Sequence, residues 1–187
     1  MNDVQSLAAP EETEEKNREP RYTGLYEWVE AAVFSLVVVV LVFTFLFRVV
    51  GVDGPSMTPT LLNQERLILT DLFYTPERGD IVVINRYTKE PLIKRIIAVG
   101  GDTISIDGVT GEVSVNGEVL DEPYIQGTTY PLEFQSPQVV PEGYVFVMGD
   151  NRENSTDSRR LGYINEKDIM GKAVFRIWPL NKFGGIS

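Results

Sequence analysis

The chain of 187 residues contains no histidine and no cysteine. Without an imidazole a Ser-His-Asp triad cannot form, and without a thiol there is neither a cysteine nucleophile nor a disulfide. The usual soft ligands of zinc are missing as well, so we expect no metal and no cofactor. A nucleophilic serine in this chain would need another base, and lysine is the leading alternative.

Positive charge is also scarce, with 17 Lys and Arg residues against 27 Asp and Glu and a formal net charge of −10. The part from residue 51 onward has 13 basic and 19 acidic residues, which gives it a net charge of −6. Proteins that bind nucleic acid present clustered Lys and Arg to the phosphates. Nucleic acid is therefore not an expected partner.

One long apolar run stands near the N-terminus. The 17 residues from Ala31 to Phe47 carry no charge, and a helix of that length covers about 26 Å of a roughly 30 Å hydrocarbon core. Tyr26, Trp28 and Arg48 flank it as interfacial residues. A buried core helix and a cleaved signal peptide are the alternatives, but the run has no amphipathic stripe and no Ala-x-Ala follows it. We predict a membrane anchor over residues 25–50.

The flanking segments complete the predicted organisation. Residues 1–24 are acidic and poor in apolar residues, which is typical of a disordered tail. More basic residues precede the span than follow it closely, and this bias favours a cytoplasmic N-terminus with residues 51–187 outside the cytoplasm. Those 137 residues are enough for one domain with its own core.

The part after the span is predicted to be mainly β, as an antiparallel sheet or a barrel-like fold. Runs rich in Val and Ile recur between turn signals, and Asn116-Gly117 predicts a two-residue hairpin. A small β excursion is expected around 105–140, where proline, glycine and polar content rises between Asp121 and Gln138. The predicted strands are 66–70, 80–86, 92–99, 103–107, 112–119, 144–148 and 172–177.

Ser56 is the first candidate for chemistry. It stands in Gly54-Pro55-Ser56-Met57-Thr58-Pro59-Thr60-Leu61, nine residues after the apolar run. The serine-hydrolase pattern Gly-x-Ser-x-Gly fails because Thr58 occupies the second glycine position, and Ser-x-x-Lys occurs nowhere. A Ser-Lys dyad assembled from distant segments remains.

Lys94 is the candidate base. Alternation in the predicted strand places it on one face with Leu92, Ile96 and Ala98, and Arg95 on the other face with Ile93, Ile97 and Val99. Apolar surroundings lower the pKa of a lysine, and a general base needs a fall from about 10.4 to roughly 7 or 8. The same alternation also fits a strand-edge lysine whose ammonium stays in water.

A polar segment from Gly149 to Arg160 follows the predicted strand 144–148. A solvated surface loop is one interpretation, because Asn, Asp and Ser are ordinary turn residues. A calcium loop is excluded, because Ser155 and Leu161 stand where its glycine and its bidentate glutamate are needed.

Together these segments resemble the bacterial type I signal peptidases, membrane-anchored Ser-Lys proteases that remove signal peptides from exported proteins. The single span and the short middle insert resemble the smaller Gram-positive form. Four motifs stand in the order of that family after an N-terminal span: Ser56-Met57-Thr58-Pro59-Thr60-Leu61, Arg78-Gly79-Asp80-Ile81-Val82-Val83, Ile93-Lys94-Arg95-Ile96-Ile97-Ala98 with Gly101-Asp102, and Gly149-Asp150-Asn151-Arg152 with Ser155 and Asp157-Ser158-Arg159.

This resemblance implies a role for each matching residue. Ser56 would be the nucleophile, Lys94 the general base and Ser155 the hydroxyl that orients the lysine. Gly54 and Met57 would support the oxyanion site. Because Gly54 replaces the serine of the enterobacterial pattern, the Ser56 N–H is left as the surest oxyanion donor.

The resemblance also implies two structural ion pairs beside the site, Asp150 with Arg95 and Asp157 with Arg159. Its implied partners are the lipid bilayer and the signal peptides of secreted preproteins, cut after small residues in an Ala-x-Ala pattern. The strand beside Lys94 would pair with the extended substrate by β-addition.

Chain length agrees with such a substrate. Ser56 cannot lie more than about 30 Å from Phe47, which keeps it near the membrane surface where the cleavage site of a signal peptide emerges. Two other classes remain in view. One is a membrane-tethered β-fold binding module without activity. The other is a self-cleaving repressor-type Ser-Lys protease, which needs a DNA-binding region that the acidic tail does not supply.

Overall fold

The computed structural model describes residues 23–46, 48–85 and 87–186, so most of the predicted tail lies outside the described residues. Its first element is helix α1, Thr23–Leu46. Within it, the mean hydropathy of Gly24–Val42 is 2.1 and none of that window is buried. Nineteen helical residues are about 28 Å long, and the predicted apolar helix of spanning length is confirmed.

The strands that follow helix α1 form a mainly antiparallel β structure, as predicted. The described residues form two sheets. Strands rich in Val and Ile are the most buried, and all four residues of Ile81–Ile84 are buried. The strands are β1 (Arg48–Gly51), β2 (Arg66–Thr70), β3 (Ile81–Ile84), β4 (Leu92–Val99), β5 (Thr103–Ile106), β6 (Val113–Val115), β7 (Glu118–Val119), β8 (Gln138–Val139), β9 (Tyr144–Met148), β10 (Ile164–Asn165), β11 (Ile169–Trp178) and β12 (Gly184–Gly185), with a short helix α2 at Ser158–Leu161 and 3₁₀ turns at Glu166–Asp168 and Leu180–Lys182.

The larger sheet has the spatial order β1-β2-β11-β3-β4-β9-β10, with β12 paired to β11. The smaller sheet, β7-β6-β5-β8, occupies the stretch in which the excursion was expected. Its hairpin turns at Asn116 and Gly117, which have φ values of 56° and 84°. Positive φ at both central residues is the signature of a type I′ turn, which only Asn and Gly adopt readily.

Three apolar clusters form the core. The first packs Met57 and Leu61, from the segment after Ser56, against residues of β2, β3, β4 and β11. The second joins the smaller sheet to β4 and β9 around Phe146. The third lies between β3, β4, β9 and β10. The segment that carries Ser56 is thus anchored by burial of its own apolar side chains.

Strand β4 does not alternate evenly along its whole length. Its register with β9 shifts between Ile96 and Ala98. Ile96 and Val99 consequently pack in the third cluster, whereas Ala98 packs in the second. The predicted faces of Ala98 and Val99 are therefore wrong, because one extra residue in a strand moves the following side chains to the opposite face.

Candidate active site

Ser56 lies in a compact turn that joins β1 to β2. The turn is closed by two backbone bonds, Thr58 N to Pro55 O at 3.1 Å and Leu61 N to Met57 O at 2.9 Å. Met57 and Leu61 are 1% and 0% exposed, so both side chains belong to the core and Met57 supports the turn by packing. The serine itself is only partly buried.

Gly54 begins this turn with a φ of 88° and donates its N–H to Asn63 Oδ1 at 3.1 Å. A φ in this region favours glycine, although an added Cβ would meet no atom within 4 Å. The glycine is therefore required by backbone conformation and not by crowding.

Lys94 projects from β4 toward the same point. Its Nζ lies 2.9 Å from Ser56 Oγ and donates to Ile93 O at 2.8 Å. In register it stands opposite Val82, a member of the third apolar cluster, and the residue is 2% exposed. The alternative of a strand-edge lysine with its head group in water is excluded by that burial.

The electrostatic setting favours an uncharged amine. Burial lowers the pKa of Lys94 to about 8, and the Asp157 and Asp150 carboxylates oppose that fall. Each carboxylate is engaged by an arginine, which weakens its pull on the lysine. Burial alone raises the pKa of Asp157, but the Arg159 guanidinium and nearby donors outweigh it and the pKa is lowered.

The Gly149–Arg160 segment packs against the serine turn. The Asn151 N–H donates to Ser56 O at 3.0 Å and its Nδ2 donates to Pro55 O at 3.2 Å. Thr60 Oγ1 donates to Asp150 Oδ2 at 2.5 Å. These bonds join the two segments over about 90 residues of sequence.

Gly149 is where the segments approach most closely. A Cβ on this residue would lie 2.3 Å from Ser155 Oγ and 2.5 Å from Ser56 O. No side chain fits such distances without displacing the serine turn. The glycine is thus a steric requirement of the site.

The ion pairs in this region are deeply buried. Arg95 contacts Asp150 with two nitrogens at 3.0 and 2.9 Å, and Arg159 contacts Asp157 at 2.9 and 2.8 Å. All four side chains are 4% exposed or less. The segment is not a solvated surface loop, because four of its six charged side chains are buried and bonded inside the protein: Asp150, Arg152, Asp157 and Arg159.

Ser155 approaches the site without a bond to Lys94. Its Oγ is buried and has no hydrogen-bond partner among the residues that the structure describes. It lies close enough to Asp157 to help lower the pKa of that carboxyl. An orienting role for Ser155 stays a prediction.

Known proteins resemble this chain over most of its length. The model of the family "Signal peptidase, peptidase S26" matches residues 25–178. Signal peptidase I of Bacillus licheniformis is 38% identical over 91% of this chain and 97% of its own length. The chain belongs to the S26 signal peptidase family. Signal peptidase I S of Bacillus subtilis (strain 168) is 38% identical over 85% of this chain and 92% of its own. A solved signal peptidase I from Enterococcus faecalis V583 is 27% identical with a TM-score of 0.45, covering 53% of this chain and 97% of that one.

S26 signal peptidase membership makes the chain a serine peptidase and identifies signal peptides as its substrate class. The resemblance seen in the sequence motifs is confirmed by these matches. Among the described residues, no group of three or more Asp and Glu side chains is arranged to hold a metal ion.

The sequence reasoning missed Arg152 as a structural residue of this S26 signal peptidase. Arg152 is 1% exposed, and its guanidinium contacts Glu122 Oε1 at 2.5 Å and Thr129 Oγ1 at 2.8 Å. Its Nε donates to Gly149 O at 3.1 Å. The arginine stands inside a recognised motif, but no local pattern indicates a partner 30 residues away.

Proposed function

We propose that the chain is a membrane-bound endopeptidase that cuts signal peptides from exported preproteins after Ala-x-Ala, with Ser56 as nucleophile and Lys94 as general base. The proposal is carried by the 2.9 Å distance between Ser56 Oγ and a buried Lys94 Nζ. Among the described residues, no carboxylate lies within ion-pair distance of that nitrogen. A buried amine without such a partner is suited to accept a proton.

The proposed reaction has two proton transfers in each half. Neutral Lys94 takes the proton of Ser56 as Oγ attacks the scissile carbonyl carbon, and the ammonium then returns that proton to the leaving nitrogen. In the second half, Lys94 takes a proton from water as the water oxygen attacks the acyl carbon. The ammonium then returns that proton to Ser56 Oγ, which leaves the acyl group. With a pKa of about 8, about a tenth of Lys94 is neutral at pH 7.

The geometry around Lys94 Nζ supports an orienting role for Ser155. A neutral amine has one lone pair and two N–H groups. For the neutral amine we place the lone pair toward the Ser56 hydroxyl, whose Oγ lies 2.9 Å from Nζ, while one N–H reaches Ile93 O at 2.8 Å. One N–H is left, and we assign its acceptor to the unpartnered Ser155 Oγ after rotation of the serine side chain. This bond would fix the lone pair on Ser56 during the reaction.

The oxyanion donor we propose is the Ser56 N–H. No described residue accepts a hydrogen bond from it. Gly54 contributes no side-chain donor, and its positive φ shapes the approach to the serine. A backbone N–H that is free in the resting protein can bind the negative oxygen that develops on the substrate carbonyl.

Among the described strands, β4 has one stretch that is paired on one side alone and could take an extended substrate. Strand β9 pairs with β4 from Arg95 onward, whereas Leu92–Lys94 is paired with β3 alone. Ile96 exchanges its backbone bonds with Gly79 and Asp80 on the β3 side, so alternation directs the Ile93 N–H away from β3. We propose that the substrate pairs at this short edge, next to Lys94.

Anchoring completes the proposal. Helix α1 has the length and hydropathy to cross a bilayer. The distribution of basic residues favours a cytoplasmic N-terminus, which puts the peptidase domain outside the cytoplasm, where exported preproteins emerge.

The decisive experiment is cleavage of a preprotein whose signal ends in Ala-x-Ala, in detergent or lipid, with the cut located by mass spectrometry. We expect wild type to cut after that Ala, and Ser56→Ala and Lys94→Met to be inert. Lys89→Met, at an exposed lysine between β3 and β4, is the matched control and should cut normally. A folded but inert wild type, or cleavage by Ser56→Ala, would favour the tethered binding module or another mechanism.

A further inference from the structure

We propose that Arg176, supported by the buried Glu65, is a positioning residue that fixes the serine turn relative to Lys94. The inference rests on the proposed roles of Ser56 and Lys94. Arg176 stands on strand β11, outside the four motifs, and contacts Thr60 of the first motif.

Arg176 reaches the turn from the sheet. It stands on β11 opposite Leu67 of β2, and its Nη2 donates to Thr60 O at 2.8 Å across 116 residues of sequence. Its Nε lies 3.0 Å from Glu65 Oε2, yet neither of these two atoms has an aligned hydrogen bond. The guanidinium is therefore oriented by the Thr60 carbonyl, and Glu65 supplies charge.

Thr60 is the residue through which such a contact can act. It is four residues after Ser56, and its hydroxyl donates to Asp150. Asp150 in turn is bound by two nitrogens of Arg95, the neighbour of Lys94 on β4. Thr60 thus connects the serine turn to the strand of the lysine, and Arg176 sets the direction of its carbonyl.

Glu65 joins the same arrangement at the base of the loop. Its carbonyl accepts from Val52 N at 2.8 Å, and Val52 O accepts from Gln64 N at 2.9 Å. These bonds close the loop that contains the serine turn. The carboxylate is 2% exposed, and a buried carboxylate needs a cation beside it. Arg176 provides that cation and binds Thr60 with the same group.

Lys182 offers a matched control within the same cluster. Its Nζ lies 3.5 Å from Glu65 Oε1, and its side chain is 40% exposed. It shares the carboxylate with Arg176, but the structure gives it no bond to the serine turn. A variant at this position tests charge at Glu65 without touching Thr60.

The test measures kcat and KM separately on an Ala-x-Ala preprotein, with the fold of each variant checked by thermal melting. Arg176→Met should lower kcat by about 10- to 100-fold, because a shift of about 1 Å between reacting groups costs about that much. The KM should stay within about twofold, because no substrate contact is removed. Arg176→Gln, which keeps an N–H for Thr60 O, should recover part of the rate, and Lys182→Met should match wild type.

Three results would overturn the inference: an unchanged kcat in folded Arg176→Met, an equal loss in Lys182→Met, or Arg176→Gln no faster than Arg176→Met. If Arg176→Met does not fold, the kcat of Arg176→Gln is compared with that of Lys182→Met. A lower kcat in Arg176→Gln supports the inference, and equal values overturn it. Ser56→Ala runs in the same assay. If Ser56→Ala is inert while Arg176→Met is fully active, the positioning role of Arg176 fails and the dyad stands. If Ser56→Ala is active, the proposed dyad itself fails.

Discussion

Lys94 and Arg95 are neighbours on one strand, and both are buried, at 2% and 3% exposure. Arg95 is bound by Asp150 through two nitrogens, donates to Gly79 O and lies 4.0 Å from the centre of the Tyr124 ring. Among the described residues, the hydrogen-bond partners of Lys94 Nζ are Ser56 Oγ and the backbone carbonyl of Ile93. Burial with a carboxylate keeps a charge in place, whereas burial without one lowers the pKa and leaves an amine that can exchange a proton.

The substitution with the largest expected effect replaces Lys94 by arginine, the residue at position 95. Lys94→Arg keeps a cation of similar length, but a guanidinium does not lose its proton in a protein. We expect the cleavage rate to fall by at least about 10³-fold. Arg160→Lys, at an exposed position in the Gly149–Arg160 segment, is the control and should leave the initial rate unchanged. More than a tenth of the wild-type rate in Lys94→Arg would show that position 94 acts by charge alone.

The two positions should also respond with opposite signs in stability. Asp150→Asn leaves Arg95 buried without its partner and should lower the free energy of unfolding by about 3–5 kcal/mol. Lys94→Met removes an unpaired buried amine. At pH 7 it should raise the free energy of unfolding by up to about 3 kcal/mol, from a pKa of about 8 against 10.5.

The stability gain of Lys94→Met depends on pH. Below pH 8 folded and unfolded chains both hold the Lys94 proton, so the full cost of burial applies. Between pH 8 and 10.5 the unfolded chain binds more protons than the folded one, so wild type gains stability as pH rises. The advantage of Lys94→Met should therefore shrink between pH 7 and pH 9.5 in denaturant titrations. A gain that does not change with pH would mean that packing causes it.

The pH dependence of the cleavage rate is the mildest test of the contrast between Lys94 and Arg95, because it changes no residue. Because only the neutral amine accepts the Ser56 proton, kcat/KM should rise about tenfold per pH unit below about 8 and level off above it. Initial rates from pH 5.5 to 9.5 on one preprotein measure this, with circular dichroism at each pH as the control. A flat profile between pH 6 and 8 would contradict Lys94 as the base.

The sequence predicted the long strands well because their signal is local. Strands β2, β4 and β9 have the predicted bounds, and each contains Val, Ile or Leu residues that turn signals flank in the sequence. Strand β11 is longer than predicted at its start, where Met170 and Gly171 interrupt the β-branched pattern. The two-residue strands β8, β10 and β12 are too short to show any periodicity and depend on their partners.

The site was foreseeable only in part, because local sequence patterns do not show which distant residues will meet. The resemblance to the signal peptidase motifs indicated Ser56 and Lys94, whose Oγ and Nζ atoms the fold brings to 2.9 Å. The contacts that hold them are long-range: Thr60 with Asp150, and Arg176 with Thr60. One chain offers several carboxylates and guanidiniums for each such contact, and only the fold selects among them.

The buried ion pairs of the Gly149–Arg160 segment have a consequence for the survival of the protein itself. A peptidase must bind a chain in extended form before it can cut it. Drawing out this segment would separate Asp150 from Arg95 and Arg152 from Glu122, whose partners outside the segment would stay behind, at about 3–5 kcal/mol for each pair. The stretch whose composition looks most like an exposed loop is therefore protected from self-digestion by the protein or by a second copy of it.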